Sequence, residues 1–341
     1  MRRVLVVIPT LNEAAVIART LQDLEGDPPP DTRTTFVVAD GGSTDGTQEI
    51  VARLAERRAD LHLLANPRRL QSAAVNLAAR RFGGKADILV RCDAHAFYPP
   101  GYVRALADSL ERSGADAVVV PMDSVGDTCV RRAVAWLSDT PVGSGGSAHR
   151  AGRRSGFVDH GHHAAFRMAS FRRAGGYDES FSHNEDAEFD CRQRALGARI
   201  WLDADIRLGY QPRGTAVGLW RQYRAYGRGR SRTVRRHPGS MRLRQLAVPL
   251  HLAVSVLALA LAPWWPLALL WPALYLSALA VTGCALGWRH RSACGLLAAP
   301  LAATMHTAWA LGFFGGLLTL REPRWQAEAA AGLAMDSGVM Q

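Results

Sequence analysis

Paired cysteines, a signal sequence and nucleic-acid-binding motifs are all missing from this sequence of 341 residues. The cysteines lack the spacing of a zinc site or a disulfide framework, so we expect reduced thiols at Cys92, Cys129, Cys191, Cys284 and Cys294. The N-terminal apolar run is too short for a secretory signal peptide and ends without a small-residue cleavage site. The sequence also shows no helix-turn-helix, zinc-finger or aromatic RNA-binding pattern, so we expect no nucleic-acid partner.

Acidic residues are absent from residues 213–244, although ten arginines lie there. This segment accounts for nearly the whole net charge of +11. Because it directly precedes an apolar region, its charge fits the positive-inside bias and would attract an anionic membrane surface. Helical spacing predicts an amphipathic helix here, with an apolar side formed by Val217, Leu219, Trp220, Tyr223 and Tyr226. We therefore expect residues 213–245 to form a basic, amphipathic juxtamembrane segment.

Charged residues are almost absent from residues 246–320. Three apolar segments approach the ~20 residues that span a bilayer, at 246–263, 267–286 and 294–320. The connection after the second segment contains Arg289 and Arg291, so the positive-inside bias places that connection and the N-terminal domain in the cytosol. The third segment is long and rich in glycine, which leaves a tilted span or a re-entrant pair as alternatives. We predict about three transmembrane helices in the inner (plasma) membrane, followed by a tail over 321–341.

The N-terminal part, 1–212, alternates apolar runs typical of buried strands with segments of helical spacing. The predicted strands are 4–8, 35–39, 62–65 and 88–92. The predicted helices cover 14–24, 47–58 and 71–82. This alternation predicts an α/β domain with a mostly parallel, Rossmann-like sheet wound by helices. In such sheets ligands bind at the carboxyl ends of the strands.

A candidate metal site lies where the strand 88–92 ends. Asp93 and His95 are one residue apart, so both side chains point the same way and can hold one divalent cation. Imidazole favours Mn²⁺ over Mg²⁺. The alternative is that His95 binds a phosphate directly.

Asp40 ends the second apolar strand and opens the glycine-rich turn that runs to Thr47. Its carboxylate can accept hydrogen bonds from a nucleotide, while the glycines let the ligand approach the backbone. The alternative is an ordinary turn and N-cap before the next helix. Thr10 and Glu13, after the first strand, fit the pattern of a capping box.

An acidic cluster opens a predicted helix that ends at Leu196, and its members are Glu185, Asp186, Glu188 and Asp190. Acidic residues in a first turn also suit the helix dipole, and Ser182 with Glu185 could form a capping box.

Upstream, residues 140–163 are rich in glycine and histidine. The spacing of His160, His162 and His163 matches no common zinc site, so we interpret this segment as a mobile loop that closes over the site.

Four motifs together resemble a known family, and they are VVIPTLNE, VVADGGSTDGT, Asp93-Ala94-His95 and NEDAEFDCR. In order and rough spacing they resemble family 2 glycosyltransferases of the GT-A fold, and within these the bacterial exopolysaccharide enzymes of the succinoglycan-assembly type. The resemblance covers about residues 3–240. His95 departs from the usual Asp-x-Asp motif. Ala225 stands where related processive synthases carry the arginine of Gln-x-x-Arg-Trp, so we do not infer processive synthesis.

The resemblance implies a nucleotide-sugar pocket lined by Pro9, Thr10, Glu13, Asp40 and Asp93. It implies that Asp93 and His95 hold Mg²⁺ or Mn²⁺ against the donor diphosphate, where the ion would neutralise charge on the leaving group. Asp186 would be the general base that deprotonates the acceptor hydroxyl, since an aspartate with a pKa near ~4 is ionised at neutral pH. A single displacement then inverts the anomeric configuration.

The function expected from the resemblance is transfer of a sugar from a UDP- or GDP-sugar to a lipid-linked glycan at the cytosolic face of the membrane. Residues 1–212 would be the catalytic domain and 246–320 the membrane anchor. One alternative is a polyprenyl-phosphate sugar synthase, whose acceptor is the lipid phosphate itself. A second is a non-catalytic scaffold of the same fold in a polysaccharide assembly complex.

Overall fold

The computed structural model describes residues 1–26, 31–146 and 152–326. The chain forms two compact units. The first contains Met1–Met122 and Gly152–Tyr210. The second contains the described parts of Asp123–Ala151 together with Gln211–Trp325. A segment from within the N-terminal half of the chain is therefore grouped with the C-terminal helices.

The first unit is an α/β domain, as the sequence predicts. Its strands are β1 (Arg2–Thr10), β2 (Thr32–Asp40), β3 (Leu61–Ala65), β4 (Ile88–Arg91), β5 (Ala117–Val119), β6 (Met122–Ser124, at the boundary), β7 (Gly156–Val158), β8 (His163–Arg167), β9 (Ile200–Leu202) and β10 (Leu208–Tyr210). Its helices are α1 (Ile17–Glu25), α2 (Thr47–Ala55), α3 (Gln71–Phe82), α4 (Tyr102–Ser113), α7 (Met168–Arg173) and α8 (Glu185–Ala195).

Eight strands form one sheet in the order β3-β2-β1-β4-β8-β5-β9-β7. The first four are parallel neighbours, whereas β8 runs antiparallel to both β4 and β5. Alternate residues of β1 enter the hydrophobic cores on opposite faces, Val6 on one and Val7 on the other. Both faces are therefore buried under helices, which explains why the central strands are continuous apolar runs.

The register of the parallel strands brings their carboxyl ends to one edge. Thr10, the last residue of β1, lies opposite Asp40, the last residue of β2. The chain leaves β4 beside β1, where the Cys92 N–H donates to the Val7 carbonyl at 2.9 Å. Consequently Asp93 emerges at the same edge as Thr10 and Asp40.

The second unit is helical. Its helices are α5 (Cys129–Ser138), α6 (Pro141–Ser144), α9 (Ala216–Arg236), α10 (Leu243–Leu261), α11 (Leu270–Arg289) and α12 (Ala298–Thr319). Helices at Leu243–Leu261, Pro266–Arg289 and Ala293–Thr319 are long and apolar enough to cross a membrane. The three predicted apolar segments are thus helices of the required length.

The arginine-rich helix α9 packs against α12 through small residues. Gly227 of α9 meets the backbone of Trp309 and Phe313 of α12, Ser231 meets Gly316, and a Cβ atom added at Gly312 would overlap the carbonyl oxygen of Arg224. Such small-residue stripes let two helix backbones approach closely. The predicted amphipathic helix is present, but residues of its apolar side, such as Leu219, are buried against other helices of this unit.

A disulfide joins Cys129 to Cys294, with their Cα atoms 5.1 Å apart. The prediction that all five cysteines are reduced is therefore wrong for this pair. The two residues are separated by 165 positions and meet because the start of α5 packs beside the residues that precede α12. Sequence spacing carries no signal for a contact of that range.

Gly312 and Gly315 provide a matched test of the α9–α12 contact. Alanine has the higher helix propensity, so Gly315→Ala, which would meet nothing within 4 Å, should raise the melting temperature slightly. Gly312→Ala would collide with backbone and should lower it by about 3 °C or more. Thermal unfolding of the detergent-solubilised protein measures both. Equal shifts for the two variants would show that close packing at Gly312 does not stabilise the unit.

Candidate active site

The Asp40 carboxylate organises the turn that follows β2. Its Oδ1 accepts the N–H groups of Gly42 and Ser43 at 2.9 and 2.8 Å, and its Oδ2 accepts the Ser43 hydroxyl at 2.5 Å. The side chain is buried beneath the loop it shapes. The structure thus shows the turn-forming role considered for Asp40. The nucleotide-binding role stays a prediction.

The loops that follow β1 and β2 are fastened to each other. Three successive backbone N–H groups of the first loop donate to side chains of the second, with Asn12 bound to Ser43 at 2.8 Å, Glu13 to Thr47 at 2.9 Å and Ala14 to Asp45 at 3.0 Å. The serine, threonine and aspartate of the turn therefore serve the neighbouring loop. This rigid pair of loops forms one wall of the candidate site.

The capping box considered for Thr10 and Glu13 is not formed. The Thr10 hydroxyl donates to the Ile8 carbonyl at 3.0 Å, and α1 begins only at Ile17. The Glu13 side chain instead accepts a hydrogen bond from His95 Nδ1 at 2.9 Å. Glu13, which the resemblance assigns to the nucleotide-sugar pocket, and His95, which it assigns to the metal site, are therefore in contact.

Asp93 is held from two sides after β4. Its Oδ1 accepts a hydrogen bond from Gln71 Nε2 at 2.6 Å, and its Oδ2 lies 3.4 Å from His162 Nε2. Burial opposes ionisation of this carboxyl group, but the hydrogen bond from His162 and the charge of Arg91 hold its pKa well below the usual value. Asp93 is consequently ionised at neutral pH.

The side chains at this edge fit a divalent cation only in part. Asp93 supplies a carboxylate, and His95 and His162 supply imidazoles, a donor set that suits Mn²⁺. Among the residues that the structure describes, no three His, Cys, Asp or Glu side chains are grouped to hold a metal by themselves. A cation here would need ligands from a substrate phosphate, as Mg²⁺ and Mn²⁺ commonly take.

The histidine-rich segment divides between two elements. His162 lies against Asp93, whereas His160 Nδ1 lies 2.6 Å from the Asp190 carboxylate of α8. The side chain of His163 and residues 147–151 are outside the described part of the chain. The predicted loop closure is therefore not tested. The segment thus contacts Asp93 through His162 and Asp190 of α8 through His160.

Arg91, the last residue of β4, connects Asp93 with the acidic helix α8. Its guanidinium is almost completely buried and lies 2.5 Å from Asp186, 3.4 Å from Glu185 and 3.9 Å from Asp93. The Tyr177 hydroxyl also donates to Asp186 Oδ1 at 3.0 Å. One fixed cation therefore orients the candidate base and faces the candidate metal ligand.

The acidic residues at the start of α8 do more than interact favourably with the helix dipole. Asn184 rather than Ser182 occupies its N-cap position, so the capping box considered for Ser182 and Glu185 does not apply. Burial, reinforced by the adjacent Asp186 carboxylate, raises the pKa of Glu185 to about 7. The two neighbouring carboxyl groups thus differ in environment, because Asp186 lies closer to Arg91 than Glu185 does and also accepts a hydrogen bond from Tyr177. Asp186 is the more exposed of the two, with 17% of its side chain accessible against 10% for Glu185.

Comparison with known proteins identifies the family. The family model described as Glycosyl transferase family 2 matches residues 5–175. Succinoglycan biosynthesis protein ExoA of Rhizobium meliloti is 42% identical over 321 residues, covering 93% of this chain and 96% of its own length. The chain belongs to glycosyltransferase family 2.

Two further proteins are similar to this chain. A Methanococcus voltae enzyme, dolichyl N-acetyl-alpha-D-glucosaminyl phosphate 3-beta-D-2,3-diacetamido-2,3-dideoxy-beta-D-glucuronosyltransferase, is 20% identical over 242 residues, covering 68% of this chain and 74% of that protein. Among solved structures, mannosyltransferase PcManGT from Pyrobaculum calidifontis, in complex with GDP-Man and Mn²⁺, superposes with a TM-score of 0.59. It is 25% identical, with 91% of this chain and 87% of that chain covered. The predicted GT-A fold is confirmed.

The site residues that were predicted at the edge of the sheet lie there. Several of the residues that contact them were not predicted. Pro9, Thr10, Asp40 and Asp93 all end or follow neighbouring strands. The missed residues are Gln71, Arg91, His162, Tyr177 and, as a group of raised pKa, Glu185. One signal was available, since a charged residue within a buried strand needs a partner. The assigned roles of the predicted residues stay predictions.

Glu185 gives a prediction for pH-dependent stability. Its pKa is about 7 in the folded chain against 4.5 for an ordinary glutamate, so its protonation stabilises the fold. That contribution is complete below about pH 4.5 and is lost as the pH rises through about 7. The melting temperature of Glu185→Gln minus that of the wild type should therefore increase from pH 5 to pH 8.

The matched control for this experiment is Glu179→Gln. Burial raises the pKa of Glu179, but hydrogen bonds from Asn76 and Arg68 outweigh this effect and lower the pKa below its ordinary value. Glu179 therefore titrates mainly below pH 5. The difference between Glu179→Gln and the wild type should stay constant from pH 5 to pH 8. A constant difference for Glu185→Gln as well would contradict the raised pKa.

Proposed function

We propose that this family 2 enzyme is a membrane-anchored, metal-dependent, inverting glycosyltransferase. It transfers a sugar from a UDP- or GDP-sugar to a lipid-linked glycan during exopolysaccharide or cell-surface polysaccharide assembly. The observation that carries this proposal is the contact of Arg91 with both Asp186 and the region of Asp93. It supports a donor side and an acceptor side that meet at one edge of the sheet.

The donor side is formed by the interlocked loops after β1 and β2 and by the end of β4. Glycines in the turn leave the backbone open to a nucleotide, while Thr10, Glu13 and Asp40 line the same edge. PcManGT was solved with GDP-Man and Mn²⁺, which supports a nucleotide sugar and a divalent cation here. Asp93, with His95 or His162, would hold that cation, which when bound neutralises charge on the departing diphosphate.

On the acceptor side Asp186 would act as the general base. Its carboxylate takes the proton from the acceptor hydroxyl as that oxygen attacks the anomeric carbon, and a single displacement inverts the configuration. Arg91 and Tyr177 hold one carboxylate oxygen in place. This arrangement fixes the base before the acceptor arrives, which reduces the ordering required in the transition state.

A lipid-linked acceptor and an inner-membrane location are supported by the second unit and by the relatives. Three helices long enough to cross a membrane follow the catalytic unit. The Methanococcus relative is named for a dolichyl phosphate-linked sugar, and ExoA for succinoglycan biosynthesis. Exposed arginines of α9 would contact the anionic cytosolic leaflet, among them Arg221, Arg224 and Arg228.

Asp186→Asn tests the assignment of the base. The amide keeps the shape of the side chain but cannot accept the proton, so transfer should fall at least about 100-fold while donor affinity stays nearly constant. Transfer to lipid extract and calorimetric donor titration measure the two quantities. Asp190→Asn, one turn later on α8, is the matched control and should keep its transfer rate. A non-catalytic scaffold would show no transfer in the wild type, and an active Asp186→Asn enzyme would remove Asp186 as the base.

Chelation and the substitution of His95 test the metal role. Excess EDTA should abolish transfer and added Mn²⁺ should restore it. Because oxygen ligands favour Mg²⁺ and imidazole favours Mn²⁺, His95→Asp should stay active with a preference shifted toward Mg²⁺. Direct Mn²⁺ titration in the presence of the nucleotide diphosphate supplies a readout independent of turnover. Full activity in EDTA would refute the metal requirement, and an unchanged metal preference in His95→Asp would exclude His95 as a ligand.

A further inference from the structure

The disulfide between Cys129 and Cys294 lies at the surface of the second unit. Cys129 is exposed, and Cys294, in the short helical turn that precedes α12, is half-buried. Their Cα atoms are 5.1 Å apart, within the usual range for a disulfide. A thiolate from solution can attack an exposed disulfide, whereas a buried one is protected. The bond is therefore open to thiol–disulfide exchange while the protein stays folded.

The position of Cys129 in α5 favours this exchange. Cys129 is the first residue of the helix, and Thr128 before it is the N-cap, whose hydroxyl oxygen accepts the Arg131 N–H at 3.3 Å. The positive end of the helix dipole stabilises a thiolate at such a position. A stabilised thiolate is the better leaving group when a disulfide opens.

Other contacts hold α5 in place without the disulfide. Trp136, near the end of α5, stacks on His290 with ring centroids 4.2 Å apart. Val134 and Leu137 of α5 belong to the same hydrophobic cluster as Leu286 of α11. Because these contacts remain when the bond opens, the two thiols stay near each other. They can therefore pair again without refolding of the unit.

The course of the chain shows on which side of a membrane Cys129 would lie. The segment that contains α5 and α6 is inserted between two parts of the first unit, which breaks off at Met122 and resumes at Gly152. Helices α5 and α6 have ten and four residues, too few to cross a bilayer. Within the described ranges, the candidate spans all begin at Leu243 or later. The chain therefore does not cross a membrane between the first unit and Cys129.

The proposed function places the first unit in the cytosol, and the redox setting of Cys129 rests on that proposal. Cytosolic thiols keep most cysteines reduced, and disulfides found there are usually transient. We propose that Cys129 and Cys294 form a reversible thiol–disulfide clasp between α5 and the start of α12. Small thiols of the glutathione class open the clasp, and the corresponding small disulfide closes it.

Opening of the clasp is a two-step exchange. The thiolate of a small thiol attacks one sulfur of the bond, which forms a mixed disulfide and releases the other cysteine as a thiolate that takes up a proton. A second small thiol attacks the mixed disulfide and releases the remaining cysteine. The protein gains two electrons and two protons, and the two small thiols become one small disulfide. Closure is the same sequence in reverse.

The clasp determines how firmly α5 is held. The bond joins residues 165 positions apart, so it restricts the unfolded chain and stabilises the folded one. Without the bond, the first turn of α5 loses its covalent attachment to the residues before α12 and should open more often. Local opening of this kind exposes backbone amides to exchange with solvent. The thiol form is therefore expected to be less stable overall and more dynamic at α5.

Redox titration of the detergent-solubilised, full-length protein tests the clasp. The protein is equilibrated with reduced glutathione or glutathione disulfide without denaturant, quenched with acid and alkylated, and mass spectrometry identifies the state of each cysteine. We expect thiols at Cys129 and Cys294 in the first buffer and the disulfide in the second. Reduction should lower the melting temperature by about 5 °C. Hydrogen exchange should accelerate in Cys129–Ser138 and stay constant in Gln71–Phe82.

Cysteine variants provide the matched controls. Cys129→Ser and Cys294→Ser should each abolish the difference in melting temperature between the two buffers. Cys284→Ser removes another exposed cysteine and should keep that difference. A bond that resists reduced glutathione until the protein unfolds would be a permanent structural disulfide and would overturn the proposal. Two thiols that never pair in glutathione disulfide would overturn it as well.

Alkylation in growing cells tests the clasp in its proposed setting. Cells are quenched with acid before and after treatment with the thiol oxidant diamide, and the two cysteines should change from thiols to the disulfide. A pair that is already fully oxidised in untreated cells would contradict the proposal. These measurements require no sugar transfer, so an inactive enzyme would leave their result intact. Failure of the clasp would likewise leave the proposed glycosyl transfer untouched.

Discussion

The buried guanidinium of Arg91 is the interaction on which the candidate site depends. Three carboxyl groups, those of Asp93, Glu185 and Asp186, lie within 4 Å of it or at the limit of that distance. Without the cation these groups would repel one another in a buried setting, where an unpaired charge is strongly destabilising. Because β4 and α8 each supply part of the cluster, the same contact fixes the end of β4 relative to the start of α8.

A second constraint acts in the helical unit, where glycines decide which helices can touch. Gly227, Gly312 and Gly316 permit backbone contacts that any larger residue would block. This packing determines the environment of the arginines, because it turns the small-residue side of α9 toward α12 and leaves Arg221 and Arg228 exposed. Charge composition and helix packing together restrict how this unit can meet a membrane.

Sequence reasoning was most successful where the signal is local. Asp40 and Asp93 were placed at strand ends because each directly follows an apolar run of strand length, and the register of β1 with β2 confirms the shared edge for Asp40. It failed where the partner is distant. The Cys129–Cys294 pair has no local signal, and the contact between Arg91 and Asp186 joins residues 95 positions apart. An N-cap was one alternative for the turn before α2, yet the Ser43 and Thr47 side chains in that turn bind the neighbouring loop.

By itself the sequence determined the α/β class, the sheet edge that carries the polar residues and the existence of three long apolar helices, since strand and helix periodicity are properties of short windows. The family was indicated by the resemblance of four motifs. The tertiary structure alone decided which groups share Arg91, that Glu13 meets His95, and that α9 covers α12. These features depend on side-chain contacts between elements far apart in the chain. Such contacts follow from how the elements pack, which no short window of sequence records.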